Sequence, residues 1–202
     1  MARKIGIIGG TFDPVHYGHL ILAEHIRAEA GLDEVIFIPA MVPPHKQELA
    51  ITSSSHRFNM AALAVSTNSR FSVSDIEIKA KSISYTIETL KKLDILFQGE
   101  ALLSFLIGAD TVLEIEKWYK FKELLASYDF IVGSRPGYLE KKISAQIANL
   151  NEKYNARVSR VVIPEVDISS TEIRNRIKMG KSIKYLTPES VENYIIENGL
   201  YR

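Results

Sequence analysis

The feature that most constrains this chain is the regular exchange of short, unbroken apolar runs for longer segments with apolar residues every three or four positions. Unbroken runs suit strands buried on both faces of a parallel sheet, and the segments between them have the length of crossover helices. The runs begin at Ile5 (IGII), Val35 (VIFI), Phe71 (FSVS), Leu102 (LLSFLI), Phe130 (FIV) and Val161 (VVI), and the helical spacing covers 18–30, 54–67, 84–97, 116–126 and 139–154. This order predicts an α/β fold, a Rossmann-like doubly wound parallel sheet. After Val166 two helices follow with no strand between them. Ser169 and Glu172 have capping-box spacing and predict a helix to about Met179, stopped by Gly180. Thr187 and Pro188 are expected as the N-cap and first-turn proline of a last helix closed by Gly199. The expected organisation is one domain over 1–202, with an α/β core at 1–166 and a short helical extension at 167–202.

Composition narrows the function class. The 202 residues carry 25 basic and 24 acidic side chains, a net charge of +1, so bulk electrostatics does not suggest nucleic acid or an anionic membrane as a partner. Any basic site must be local. Cys is absent, which removes disulfides, thiolate nucleophiles and cysteine-ligated metal centres and fits a reducing compartment. The N-terminal apolar run breaks at Gly9 and Gly10, too early for a signal peptide, and no run has the length of a membrane helix. The expectation is a cytoplasmic protein with no membrane partner.

The chemistry concentrates in Gly9-Gly10-Thr11-Phe12-Asp13-Pro14-Val15-His16-Tyr17-Gly18-His19-Leu20, directly after the first strand and opening the first helix. Glycines let backbone N–H groups approach a phosphate, a helix N-terminus favours an anion, and His16 and His19 project from one helix face beside those donors. Neither a Walker A loop nor a Gly-x-Gly-x-x-Gly fingerprint is completed here. A zinc site would need a third ligand, and the following helix provides only Glu24 and His25, with His25 turned about 240° from His19. No resident metal ligand is therefore expected.

GGTFDPVHYGHL resembles the signature of the nucleotidyltransferases that share a His-x-Gly-His motif. Within them the chain is similar to the bacterial nicotinate mononucleotide adenylyltransferase family, with matches recurring in order. These are Pro43-Pro44-His45-Lys46, Ser84-Tyr85-Thr86-Ile87-Glu88-Thr89-Leu90, Gly108-Ala109-Asp110, Lys117-Trp118, Ser134-Arg135-Pro136 and Ile168-Ser169-Ser170-Thr171-Glu172-Ile173-Arg174. Ile83 and Ser84 stand where the family commonly has a Pro-Ser pair. Lys178-Met179-Gly180-Lys181-Ser182 looks like the lysine loop of class I aminoacyl-tRNA synthetases, but is taken as helix-end lysines with a capping glycine.

The resemblance implies adenylyl transfer from ATP to nicotinate mononucleotide, with magnesium held mainly by the ATP phosphates. It implies His16, His19, Lys46 and Arg174 as the catalytic donors. It places Gly9, Gly10, Thr11, Phe12, Gly108, Asp110, Arg135, Ile168, Ser169 and Ser170 along ATP, and Thr86, Trp118, Tyr85 and His45 at the mononucleotide, Trp118 stacking on its pyridine ring. Without it, Ser169 and Ser170 read as helix caps, Asp110 as an N-cap, Thr86 as a helix-start residue and Trp118 as core packing. It also implies a homo-oligomer, a dimer first. The alternatives left open are an adenylyltransferase for nicotinamide mononucleotide or phosphopantetheine, and a non-catalytic nucleotide sensor.

Overall fold

The computed structural model describes residues 2–42, 51–135, 137 and 140–202. Among them the chain runs β1 (Arg3–Gly10), α1 (Tyr17–Glu29), β2 (Glu34–Pro39), α2 (Ser54–Val65), β3 (Phe71–Val73), α3 (Ile76–Ala80), α4 (Thr86–Phe97), β4 (Ala101–Gly108) and α5 (Ala109–Val112). It continues through α6 (Phe121–Ser127), β5 (Asp129–Ser134), α7 (Glu140–Tyr154), β6 (Arg157–Val162), α8 (Ser170–Lys178) and α9 (Glu189–Glu197). The strands form one six-stranded parallel sheet ordered β3-β2-β1-β4-β5-β6. This is the expected doubly wound arrangement, and the strand order reverses at β1, whose carboxyl end carries the Gly9–Leu20 motif.

Register explains the burial. Ile7 lies opposite Phe105, Phe105 opposite Phe130, and Phe130 opposite Val158, so one apolar row crosses four strands. All four side chains are buried, each contributing about 1.5–3 kcal/mol of transfer free energy.

The fold packs as two compact units that share β1, α1 and β2 along the chain. One comprises Met1–Ile8, Leu22–Ile36 and Tyr85–Glu165; the other comprises Gly9–Ile21, Phe37–Ser84 and Val166–Arg202. In the first, Ile26, Leu90, Leu124, Ile143 and Leu150 from the helices join the strand residues in the core. In the second, Phe37 packs between Phe12 and Phe71, and Met60, Ile173, Val191 and Ile195 are buried. Residues 167–202, expected as an extension of the 1–166 core, fall within the Val166–Arg202 segment of this second unit.

Several boundaries differ from expectation for identifiable reasons. β6 starts at Arg157, ahead of the apolar run at Val161, because it is an edge strand in which only Val158 is buried and polar residues can pair. The helix expected over 116–126 is broken: a 3₁₀ turn at Ile115–Lys117 ends in extended Trp118, and Lys120 at φ +51° restarts the chain as α6. Thr187 does not cap α9; its hydroxyl donates to the Val15 carbonyl at 2.8 Å, and Pro188 takes the N-cap position. Helix α3 carried no signal strong enough to be expected. Gly180 and Gly199 do follow their helices, at φ +66° and +59°. Among the described residues no helix is long and apolar enough to cross a membrane.

Candidate active site

The turn between β1 and α1 is built around Phe12. Its backbone sits at φ +50°, uncommon for an aromatic residue, and its ring is 2% exposed. The ring packs against Phe37 and presents an edge-to-face contact to His19 at 5.1 Å between centroids. A Cβ on Gly10 would fall 2.8 Å from that ring, so the second glycine of the motif makes room for Phe12.

His16 is the last residue before α1, and its carbonyl accepts from the N–H groups of His19 (3.0 Å) and Leu20 (3.4 Å). In return the His16 N–H donates to His19 Nδ1 at 3.2 Å. An imidazole here does what a glutamate does in a capping box, and a neutral His19 must then carry its proton on Nε2. The two rings lie 3.7 Å apart at 32°. His16 is buried, which pulls its pKa from 6.5 down to about 4, so the ring is neutral near pH 7. Its Nδ1 is buried with no hydrogen-bond partner among the described residues. A Cβ on Gly18 would lie 3.0 Å from both Nδ1 and Cε1 of that ring, which accounts for glycine between the histidines.

The start of α8 meets the same turn. Ser170 Oγ donates to the Pro14 carbonyl at 2.8 Å and Arg174 Nη1 to the Asp13 carbonyl at 2.7 Å, while Nη2 reaches Thr171 Oγ1 at 3.3 Å. Ser169 caps the helix, accepting from the Glu172 N–H at 3.1 Å. The Ile168 carbonyl lies 3.5 Å from where a Gly18 Cβ would be. The structure thus gathers His16, His19, Ser170 and Arg174 around residues 9–19, bringing two positive helix ends to one turn. Both serine hydroxyls already have local roles there. Lys46 and His45 lie outside the described residues.

The remaining expected residues belong to the other unit. Gly108 is the N-cap of α5, so Asp110 sits exposed in its first turn instead of capping it. A Cβ on Gly108 would meet nothing within 4 Å, so packing among the described residues does not require glycine there. Arg135 follows β5, with Nη1 3.9 Å from Glu165. Tyr85 is the N-cap of α4 but makes no side-chain capping bond, and Thr86 is the first helical residue. Trp118 is partly buried and meets Phe105 edge-on at 5.9 Å between centroids, while Tyr85 stacks on Tyr119 at 4.5 Å. The segment before Tyr85 is well held without the proline: Ile83 bridges Val42, and Ser84 Oγ accepts from the Met41 N–H at 3.0 Å.

Sequence reasoning missed Arg57, which is 1% exposed and lies on the buried face of α2. It donates to the carbonyls of Thr11 (2.8 Å), Met41 (3.1 Å) and Thr52 (2.9 Å). The available signal was phase: Arg57 is in step with Met60, Ala61 and Ala64 on the apolar stripe of α2. Among the described residues no group of three His, Asp or Glu side chains could hold a metal ion.

A cytidylyltransferase-like family model matches residues 7–176. A protein of Thermoanaerobacter sp. (strain X514), named "Probable nicotinate-nucleotide adenylyltransferase", is 45% identical over 199 residues, covering 98% of this chain and 94% of that one. A protein of the same name from Desulfitobacterium hafniense (strain DSM 10664 / DCB-2) is 46% identical over 200 residues, covering 99% and 96%. The chain belongs to the nicotinate-nucleotide adenylyltransferase family. The fold of that family is also the one found by structural similarity. The Plasmodium falciparum nicotinic acid mononucleotide adenylyltransferase complexed with NaAD matches at TM-score 0.80 and 23% identity, covering 98% of this chain and 97% of that one. The same protein complexed with APC matches at 0.77 and 21%, with the same coverage.

Proposed function

We propose that the His16–His19 turn and the start of α8 hold the triphosphate of ATP while its adenylyl group passes to nicotinate mononucleotide, the reaction of the family to which the chain belongs. The observation that carries this reading is the stacked histidine pair at the N-terminus of α1, with a buried nitrogen lacking a partner among the described residues. A buried, unsatisfied polar atom among helix-end donors suits a site that takes a polar guest. A neutral imidazole can donate one N–H to a phosphate oxygen, and His19, with Nδ1 engaged by the His16 N–H, would donate through Nε2.

In the reaction, an oxygen of the mononucleotide phosphate attacks the α-phosphorus of ATP in line. The new P–O bond gives nicotinate adenine dinucleotide, the α–β bridge bond breaks, and pyrophosphate leaves with its electron pair. The attacking group is already an anion, so no protein nucleophile or general base is required, in keeping with a chain that contains no Cys. The protein's work is positioning and charge neutralisation by His16, His19, Arg174 and helix ends, with Lys46 proposed as a further donor. Magnesium would be carried mainly on the ATP phosphates, where it would neutralise phosphate charge.

Glycines 9 and 10, Thr11 and Phe12 are proposed to line ATP with Ile168, Ser169 and Ser170. Gly108 and Asp110 are proposed at its ribose and Arg135 beside the adenosine. On the mononucleotide side, Trp118 offers an aromatic face. Thr86, at the start of α4, is proposed to donate to the nicotinate carboxylate, and Tyr85 and His45 are proposed as further mononucleotide contacts. The reading places the protein in the cytoplasm, supported by a cysteine-free sequence.

The test compares kcat/KM for nicotinate and nicotinamide mononucleotides with ATP. A site that pairs a carboxylate rejects the amide by about 10²-fold or more. Equal values for acid and amide would contradict the assigned substrate.

A further inference from the structure

We propose that Arg57 and Tyr201 are positioning residues that hold the phosphate turn in its reactive conformation from beneath, without touching substrate. The proposal rests on the adenylyl-transfer reading of that turn. Arg57 is 1% exposed, so its guanidinium is closed to a ligand, and three carbonyls from separate segments surround it. One is Thr11 on the turn; Met41 and Thr52 are the other two. Asp13, 4% exposed, forms the second half of the clamp. Its Oδ2 accepts from the Thr52 N–H at 3.3 Å and its Oδ1 from the Tyr201 hydroxyl at 2.6 Å, while its carbonyl takes Arg174.

These bonds bracket a single residue. Thr11 and Asp13 flank Phe12, whose left-handed backbone at φ +50° persists only where its surroundings over-determine it. The Phe12 ring in turn packs edge-on against His19. A contiguous path therefore runs from Arg57 and Tyr201 through the backbone at Thr11 and Asp13 to Phe12 and the His19 ring. Core filling alone would not call for this cluster, because an apolar side chain of similar volume fills a core without the desolvation penalty of a buried charge.

Tyr201→Phe removes one hydroxyl and keeps the ring; Arg57→Lys keeps the charge and loses the fork. Both variants are assayed for pyrophosphate release at a temperature where circular dichroism shows them folded, alongside hydrogen exchange of the peptide spanning residues 9–20 without substrate. The expected result for Tyr201→Phe is a kcat lowered about fivefold, the loss of one hydrogen bond, with KM for nicotinate mononucleotide changed by less than about twofold and faster exchange in 9–20. Arg57→Lys is expected to lower kcat by about 10-fold or more. If Arg57→Lys fails to fold, Tyr201→Phe decides alone. A folded Tyr201→Phe with wild-type kcat, or with wild-type exchange in 9–20, overturns the proposal. The exchange arm needs no turnover, so a failure of the adenylyl-transfer reading shows separately, as an inactive wild type.

Discussion

At the scale of single residues, the histidine pair divides its labour by hydrogen bonding. His19 Nδ1 is committed to the His16 N–H, and removing the ring takes away both a proposed donor and that cap. His19→Ala is expected to lower turnover by about 10²–10³-fold, and a near-normal kcat in a folded variant would exclude the role. His16 couples to pH through stability. Its pKa falls from 6.5 in the unfolded chain to about 4 in the fold, so between those values the unfolded state binds more protons. Stability should fall as pH drops from 6.5 through 4 and level off below, by up to about 3 kcal/mol from this residue. Urea titrations across that range should show the slope in the wild type and a shallower one in His16→Gln. Gly18→Ala tests the space beside the ring: its Cβ would sit 3.0 Å from His16, so the variant should fold with kcat lowered at least about tenfold.

At the scale of elements, the sequence declared what depends on local pattern. Apolar runs named every strand, and the capping spacing at Ser169 marked the start of α8. Contacts between distant segments left no such trace. Arg57 shows only by its phase on the apolar stripe of α2, and its partners stay hidden because they are carbonyls, which carry no residue identity. Thr187 has the form of an N-cap, and only its packing against Val15 shows that its hydroxyl is spent elsewhere. The break at Trp118–Lys120 hides in a segment whose apolar spacing suits a continuous helix, since a left-handed lysine has no sequence mark. The Ser169 cap yields a prediction on this scale. Ser169→Ala should cost about 1 kcal/mol of stability by loss of the bond to the Glu172 N–H, and should raise KM for ATP if α8 presents its N-terminus to phosphate. A stability loss with unchanged KM for ATP would confine Ser169 to capping.

On the scale of the whole molecule, the near-zero net charge is a local arrangement. Few cationic groups are needed where two helix ends and a stacked imidazole pair meet at one turn. The same turn shows why sequence suggested candidate donors but not the residues beneath them. His16 and His19 come from one short motif and Arg174 from α8, whereas the residues that fix the turn, Arg57, Asp13 and Tyr201, join positions as far apart as 188 residues. These groups are proposed to serve one transfer, in which pyrophosphate and dinucleotide form together. The most direct measurement incubates the purified protein with ATP, magnesium and nicotinate mononucleotide and quantifies both products. Pyrophosphate and nicotinate adenine dinucleotide are expected in equal amounts, dependent on the mononucleotide. Pyrophosphate without dinucleotide, or binding of the finished dinucleotide with no turnover, would contradict the proposed transfer.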